Sequence, residues 1–124
     1  MTSTGSGHRR RWLLLALVVL VLGCTRESPY SPLPPGSVVL AFGDSVTWGT
    51  GASRGEDFPS LLAERSGWQV VNAGVPGDTA AAARERIEGL LRQHDPALVI
   101  VELGGNDFLR KRPDADVEAD LRDI

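Results

Sequence analysis

Hydrophobic and polar positions change rhythm along the chain, and each change predicts a different element. Residues 12–23, "WLLLALVVLVLG", run without a charge. A helix of that length rises about 18 Å, short of the ~30 Å hydrocarbon core of a bilayer. It follows the basic stretch "HRRR" (8–11) and ends on a small residue, so residues 1–23 are expected to be a secretory leader. An uncleaved anchor and a buried core helix are the alternatives. Residues 25–36, "TRESPYSPLPPG", hold four of the eight prolines and no apolar period. They predict an extended linker that, with Cys24, makes residues 24–36 a spacer.

From Ser37 onward short apolar runs alternate with helical periods. "SVVLAF" (37–42) is continuous, β-branched and bounded by Pro-Gly and Gly-Asp, as suits a strand covered on both faces. "FPSLLAERSG" (58–67) has proline near its start and Ser-Gly at its end, which predicts a short helix. "WQVVNAG" (68–74) reads as a second strand. Asp78 and Thr79 offer N-caps to "AAAARERIEGLLRQ" (80–93), whose Ala80, Ala83, Ile87, Leu90 and Leu91 share one helical face. Asp95-Pro96 ends that helix, and "ALVIVEL" (97–103) is the third and most apolar strand. Pro113 and Asp114 open another helix, with Val117, Leu121 and Ile124 at i, i+4 and i+7.

Strands alternating with helices predict right-handed βαβ units: an α/β domain over residues 37–124, three-layered, with a parallel sheet covered by helices on both faces. Three strands leave a hydrophobic sheet edge bare. Ile124 also lies on the apolar face of a helix with no stop signal after it. These features predict the front part of a larger domain. No internal repeat is present.

At 124 residues the chain holds one domain at most. Without the leader, whose only charges are three arginines, ten basic residues face sixteen acidic ones, a net charge of −6. That balance argues against nucleic acid, which is bound through Lys and Arg contacts to phosphate, and against an electrostatic hold on anionic lipid. Cys24 is the single cysteine, so it has no partner for an internal disulfide. The ending "LVLGC" resembles a bacterial lipobox. That resemblance implies a lipidated Cys24, two or more acyl chains holding the protein to a membrane, and a periplasmic or external location. The alternative is an ordinary leader with Cys24 incidental. Arg9 and Arg10, with Arg11, read as ordinary leader charge rather than a twin-arginine signal.

Each expected strand ends in a small, polar cluster: "FGDSVTWGTG", "NAGVPGDT" and "LGGNDFLR". In open parallel sheets, ligands bind outside the carboxyl ends of the strands. The first cluster supplies the Ser45 hydroxyl, the second glycines with open N–H groups, the third the neutral amide of Asn106. Together these are parts of an acyl-transfer site: a nucleophile, and donors for the oxyanion of a tetrahedral intermediate. The Gly-x-Ser-x-Gly elbow is absent, because Thr47 stands where its second glycine belongs. A dinucleotide-binding module is disfavoured, because the first loop lacks Gly-x-Gly-x-x-Gly and Asp44 sits where a phosphate needs donors.

Plainer readings exist for each residue. Ser45 caps a following helix, Gly77 makes a tight turn, and Asn106-Asp107 is a capping pair. His94, before the third strand, is expected on the rim opposite Ser45 as a solvated helix-end residue favoured by the dipole. His8 belongs to the leader. Glu102 is expected to be a buried carboxylate without a partner that the sequence identifies. Gly49 and Gly51 are expected to keep the backbone close to the site.

The three clusters resemble blocks I, II and III of the GDSL, or SGNH, hydrolase superfamily. Residues 38–124 resemble its bacterial periplasmic thioesterase, arylesterase and lysophospholipase branch, most closely in "RQHDPALVIVELGGNDFLR" (92–110). The resemblance implies a flavodoxin-like fold with Ser45 as nucleophile. The oxyanion hole would come from the N–H of Ser45, the N–H of Gly77 and the side-chain amide of Asn106. Gly77 is preferred to Gly74 because it directly precedes Asp-Thr. Gly43, Asp44 and Asp107 are implied as supporting residues, with Asp44 shaping its loop rather than joining a triad. The implied activity is hydrolysis of small acyl esters or thioesters through an acyl-enzyme, with no metal or cofactor. A carbohydrate acetyl esterase on the same scaffold and a non-catalytic α/β binding module are the alternatives. The superfamily draws its catalytic Asp and His from an Asp-x-x-His block, and these 124 residues contain none. The expectation is therefore an N-terminal portion, unstable and without useful turnover by itself. Nothing in the sequence bears on oligomeric state.

Overall fold

The computed structural model describes residues 31–124, of which Leu33–Ile124 form one compact unit. The leader and Cys24 lie outside the described residues. The elements run β1 (Val38–Gly43), α1 (Ser45–Trp48), α2 (Phe58–Ser66), β2 (Gln69–Gly74), α3 (Ala80–His94), β3 (Leu98–Glu102), α4 (Gly105–Leu109) and α5 (Asp114–Asp123). Every strand and long helix read from the sequence is present. The two short helices, α1 and α4, are additions that a period of 3.6 residues cannot reveal in four or five positions.

The sheet is parallel, in the order β2-β1-β3. Its central strand is the continuous apolar run, and Val39, Leu40, Ala41 and Phe42 are fully buried. Chain direction dictates the layers. β1 leads to β2 on one side, and β2 then crosses back over β1 to β3. Right-handed crossovers in opposite directions put their helices on opposite faces. On one face Leu40 and Phe42 pack with Ala83 and Ile87 of α3, joined by Val71, Leu90 and Val99. On the other, Phe58, Leu61 and Leu62 of α2 approach Ile100 of β3. The domain is thus a three-layer α/β unit. β3, the most apolar strand, lies at an edge, and its Leu98 and Val101 are exposed.

Capping residues set the helix limits. The Asp57 carboxylate accepts from the Ser60 N–H and hydroxyl at 2.9 and 2.8 Å, and Gly67 ends α2 at φ +72°. Thr79, rather than Asp78, caps α3. α5 buries Asp120 more fully than the expected Val117–Leu121–Ile124 face, of which Ile124 packs against the core. Val117 and Ile124 are half-buried and Leu121 is exposed. Asp120 is drawn inward by Arg84 of α3 and by Arg112, each 2.8 Å away. At the other end of the unit, Trp68 Nε1 donates to the Leu33 carbonyl and the Gly36 N–H to that of Gly67. Those bonds seat the last residues of the expected linker on the domain.

Candidate active site

The three polar clusters sit together at the carboxyl end of the sheet. β1 connects toward β2 while β3 lies on its other side, so the loops after β1 and β3 flank the point where strand order reverses, the place where open α/β sheets bind ligands. Ser45 follows β1, Gly77 follows β2, and Asn106 follows β3.

Ser45 is the first residue of α1, half-buried, and does not cap that helix. The cap is Asp44, whose Oδ1 accepts from the Val46 N–H at 2.9 Å. A first-turn N–H has no acceptor within its own helix, so the N–H of Ser45 is left for another group. The helix lies very close to the strands beneath it. A Cβ on Gly43 would be 2.0 Å from Thr47 Oγ1, and one on Gly74 would be 2.2 Å from the Trp48 N. These two glycines are required by close approach. Gly49 adopts φ +97° as the C-cap of α1, and a Cβ there would meet Asp57 at 2.6 Å. At Gly51, also at positive φ, an added Cβ would meet nothing. The glycines after α1 therefore serve the turn and its packing on Asp57 rather than bringing backbone to the site.

The second loop is a tight turn in which the Asp78 N–H donates to the Val75 carbonyl at 3.1 Å. Pro76 takes its first central position and Gly77 its second, at φ +86°, the pattern of a type II turn. Gly77 is thus a turn glycine by conformation, in the loop expected to supply an N–H donor. Gly74, the alternative, is buried beneath α1.

The third loop ties the others. Asn106 Nδ2 donates to Asp44 Oδ2 at 3.0 Å and to the Asp78 carbonyl at 2.9 Å, so one amide joins all three loops. Both of its protons are engaged, and donation to an oxyanion requires that one contact be shared or exchanged. Asp107 points the other way. It is fully buried, accepts from the Ala80 N–H at 2.9 Å and pairs with Arg112. It therefore caps α3, anchoring the loop that carries Asn106. Arg112 is held protonated above its ordinary range by Asp120 and then Asp107.

Glu102 is half-buried at the end of β3, and its partner is Thr47, whose hydroxyl donates to Oε2 at 3.0 Å. The sequence shows neither that pairing nor the engagement of Arg86. The signal for Arg86 is positional: it shares a helical face with Thr79, Ala83 and Leu90, where an apolar residue is expected. Its guanidinium reaches Asp78, Ala73 and Gly43. His94 ends α3 just before β3, and Ser45 follows β1. In a parallel sheet these are opposite rims, separated by a strand length of about 16 Å. Large apolar side chains stand exposed on the site loops: Val46 and Trp48 on α1, and Phe108 at 83% and Leu109 at 76% on α4. Among the described residues no group of three or more His, Cys, Asp or Glu side chains is arranged to hold a metal ion.

The chain is similar to several known proteins. Residues 41–124 match the GDSL-like Lipase/Acylhydrolase family. Esterase TesA of Pseudomonas aeruginosa is 33% identical over 108 residues, covering 83% of this chain and 54% of the esterase. Thioesterase 1/protease 1/lysophospholipase L1 of Escherichia coli K12 is 42% identical over 90 residues, 69% of this chain and 42% of that enzyme. The crystal structure of AlinE4, an SGNH-hydrolase family esterase, superposes with a TM-score of 0.67 at 40% identity, over 75% of this chain and 53% of that one. The chain thus spans about half the length of the curated relatives it matches. A match from the end of β1 through all three polar loops to Ile124, with the same fold in a solved relative, places the chain in the GDSL-like lipase/acylhydrolase family of SGNH-type hydrolases.

Proposed function

We propose that these residues carry the nucleophile and oxyanion-binding part of a serine hydrolase that cleaves acyl esters or thioesters through an acyl-enzyme. Ser45 Oγ attacks the acyl carbonyl. The Ser45 and Gly77 N–H groups and the Asn106 amide receive the oxyanion, and collapse of the tetrahedral intermediate expels the alcohol or thiol. Water then attacks the acyl-serine and releases the acid. The observation that carries this reading is the Asn106 amide, which binds Asp44 and Asp78 and so gathers the three loops at one sheet end. The exposed Val46, Trp48, Phe108 and Leu109 favour an acyl group over a sugar at the same edge. Ser45 needs a base, and among the described residues the one histidine, His94, lies on the opposite rim. With residues 1–23 as an export leader and acyl chains on Cys24, the hydrolase would be tethered to a membrane and face the periplasm or the cell exterior.

The test is covalent labelling. In the protein expressed in full from its gene, a fluorophosphonate is expected to modify Ser45. Ser45→Ala is expected to remove both labelling and nitrophenyl-ester hydrolysis, a loss on the order of 10⁶ in kcat for comparable serine triads. Absence of labelling at Ser45 favours a binding module. Turnover confined to acetylated glycans favours a carbohydrate esterase.

A further inference from the structure

We propose that Arg86 is a positioning residue of this site, holding the loops after β1 and β2 in the register that Ser45 and Gly77 require. The inference rests on the acyl-transfer reading above. Arg86 lies about two turns into α3, and its guanidinium is only partly exposed. Nε donates to Asp78 Oδ2 at 2.7 Å, Nη1 to the Ala73 carbonyl at 2.8 Å, and Nη2 to the Gly43 carbonyl at 2.9 Å. The guanidinium carbon sits 4.2 Å from the centroid of the Phe42 ring, a cation–π contact against a fully buried aromatic.

Each acceptor belongs to a different piece of the site. Gly43 ends β1, two residues before Ser45. Ala73 is the next-to-last residue of β2, and Asp78 directly follows Gly77. The Gly43 carbonyl also accepts from the Val75 N–H at 3.0 Å, so Arg86 fills its remaining lone pair at the point where β1 gives way to the nucleophile loop. The Asp78 carbonyl in turn accepts from Asn106, which extends the linkage to the third loop. Three acceptors in three fixed directions suit the planar fork of arginine. A lysine ammonium, a point charge on a flexible stem, does not reproduce it. Arg84, two residues earlier on the same helix, provides the contrast: it pairs with Glu85, Asp120 and Asp123, away from the loops.

The experiment uses the protein expressed in full from its gene. The rate of Ser45 phosphonylation by a nitrophenyl phosphonate, and kcat and KM for a nitrophenyl ester, are measured in wild type, Arg86→Lys, Arg86→Ala and Arg84→Lys. Arg86→Lys is expected to slow phosphonylation and kcat by about 100-fold, the effect of misplacing reacting groups by about an ångström, with KM within about twofold. Millimolar guanidinium is expected to restore part of the rate in Arg86→Ala, and Arg84→Lys to react at the wild-type rate. Wild-type rates in Arg86→Lys, or an equal loss in Arg84→Lys, overturn the positioning role. If Arg86→Lys does not fold, Asp78→Asn, which loosens the same clamp from its other side, is read against the same two outcomes. A wild-type protein that is not phosphonylated at Ser45 overturns the acyl-transfer reading itself, and the positioning role with it. Normal labelling in both wild type and Arg86→Lys overturns the positioning role alone.

Discussion

Gly74→Ala tests the idea that α1, and Ser45 with it, is seated by backbone contact. The new methyl would lie 2.2 Å from the Trp48 N, and 2.7 Å from both the Thr47 carbonyl carbon and the Trp48 Cα. Ordinary contact begins at 3.4 Å, so the closest approach falls 1.2 Å short. All three neighbours are backbone, and no rotamer change relieves the overlap. Either α1 lifts by about an ångström or the end of β2 moves. Overpacking of this kind costs typically 1–3 kcal/mol, and rigid backbone on the opposing side argues for about 3 kcal/mol. The same shift displaces Ser45 and stretches the bond from Thr47 to Glu102, so Ser45 is expected to react about 100-fold more slowly. Urea unfolding gives the stability change as a shift in midpoint at constant slope, and phosphonylation of Ser45 gives the reactivity. Gly89→Ala is the control: it sits mid-α3 with open space around the added methyl and is expected to stabilise by about 0.5–1 kcal/mol. A Gly74→Ala protein with wild-type midpoint and labelling rate would refute the argument.

Thr47→Val removes the only hydroxyl that the fully buried Thr47 offers to Glu102 while keeping its shape, and is expected to cost about 1–2 kcal/mol in urea unfolding. An unchanged midpoint would show that Glu102 finds water instead. Asp57 is held below its ordinary carboxylate value of 3.8 by the N–H and then the hydroxyl of Ser60. Its cap is therefore at full strength above pH 3.8 and is lost as pH falls through the lower folded value. The stability gap between wild type and Asp57→Ala is expected to be constant near neutrality and to shrink below that pH. A gap that widens on acidification contradicts the assignment. Asn106→Ala cuts the links to Asp44 and Asp78 together and removes the neutral donor. Phosphonylation of Ser45 is expected to fall by about 10²–10³, and a loss under tenfold would place the oxyanion elsewhere.

Local order along the chain determined much of this molecule. The β-branched run at Val38–Gly43, the caps at Asp57 and Thr79 and the break at Asp95 act within a few residues, through backbone sterics and hydrogen bonds that neighbours in sequence supply. Parallel topology followed from their alternation, because a right-handed crossover admits few arrangements. The three polar loops were legible for the same reason, since each lies at a strand end. Side-chain destinations were decided only by the tertiary structure. Asp107 reads as a local cap and instead caps the helix that begins at Ala80, and Ser45 reads as a cap while Asp44 performs that role. Arg86 and Glu102 look displaced in apolar segments until Gly43, Ala73, Asp78 and Thr47 surround them. These partners lie up to 55 residues apart in the chain, and their pairing depends on how closely α1 and α3 approach the sheet. For α1 that distance is set by the absence of a Cβ at Gly43 and Gly74, a steric fact that acquires meaning only once the elements are packed.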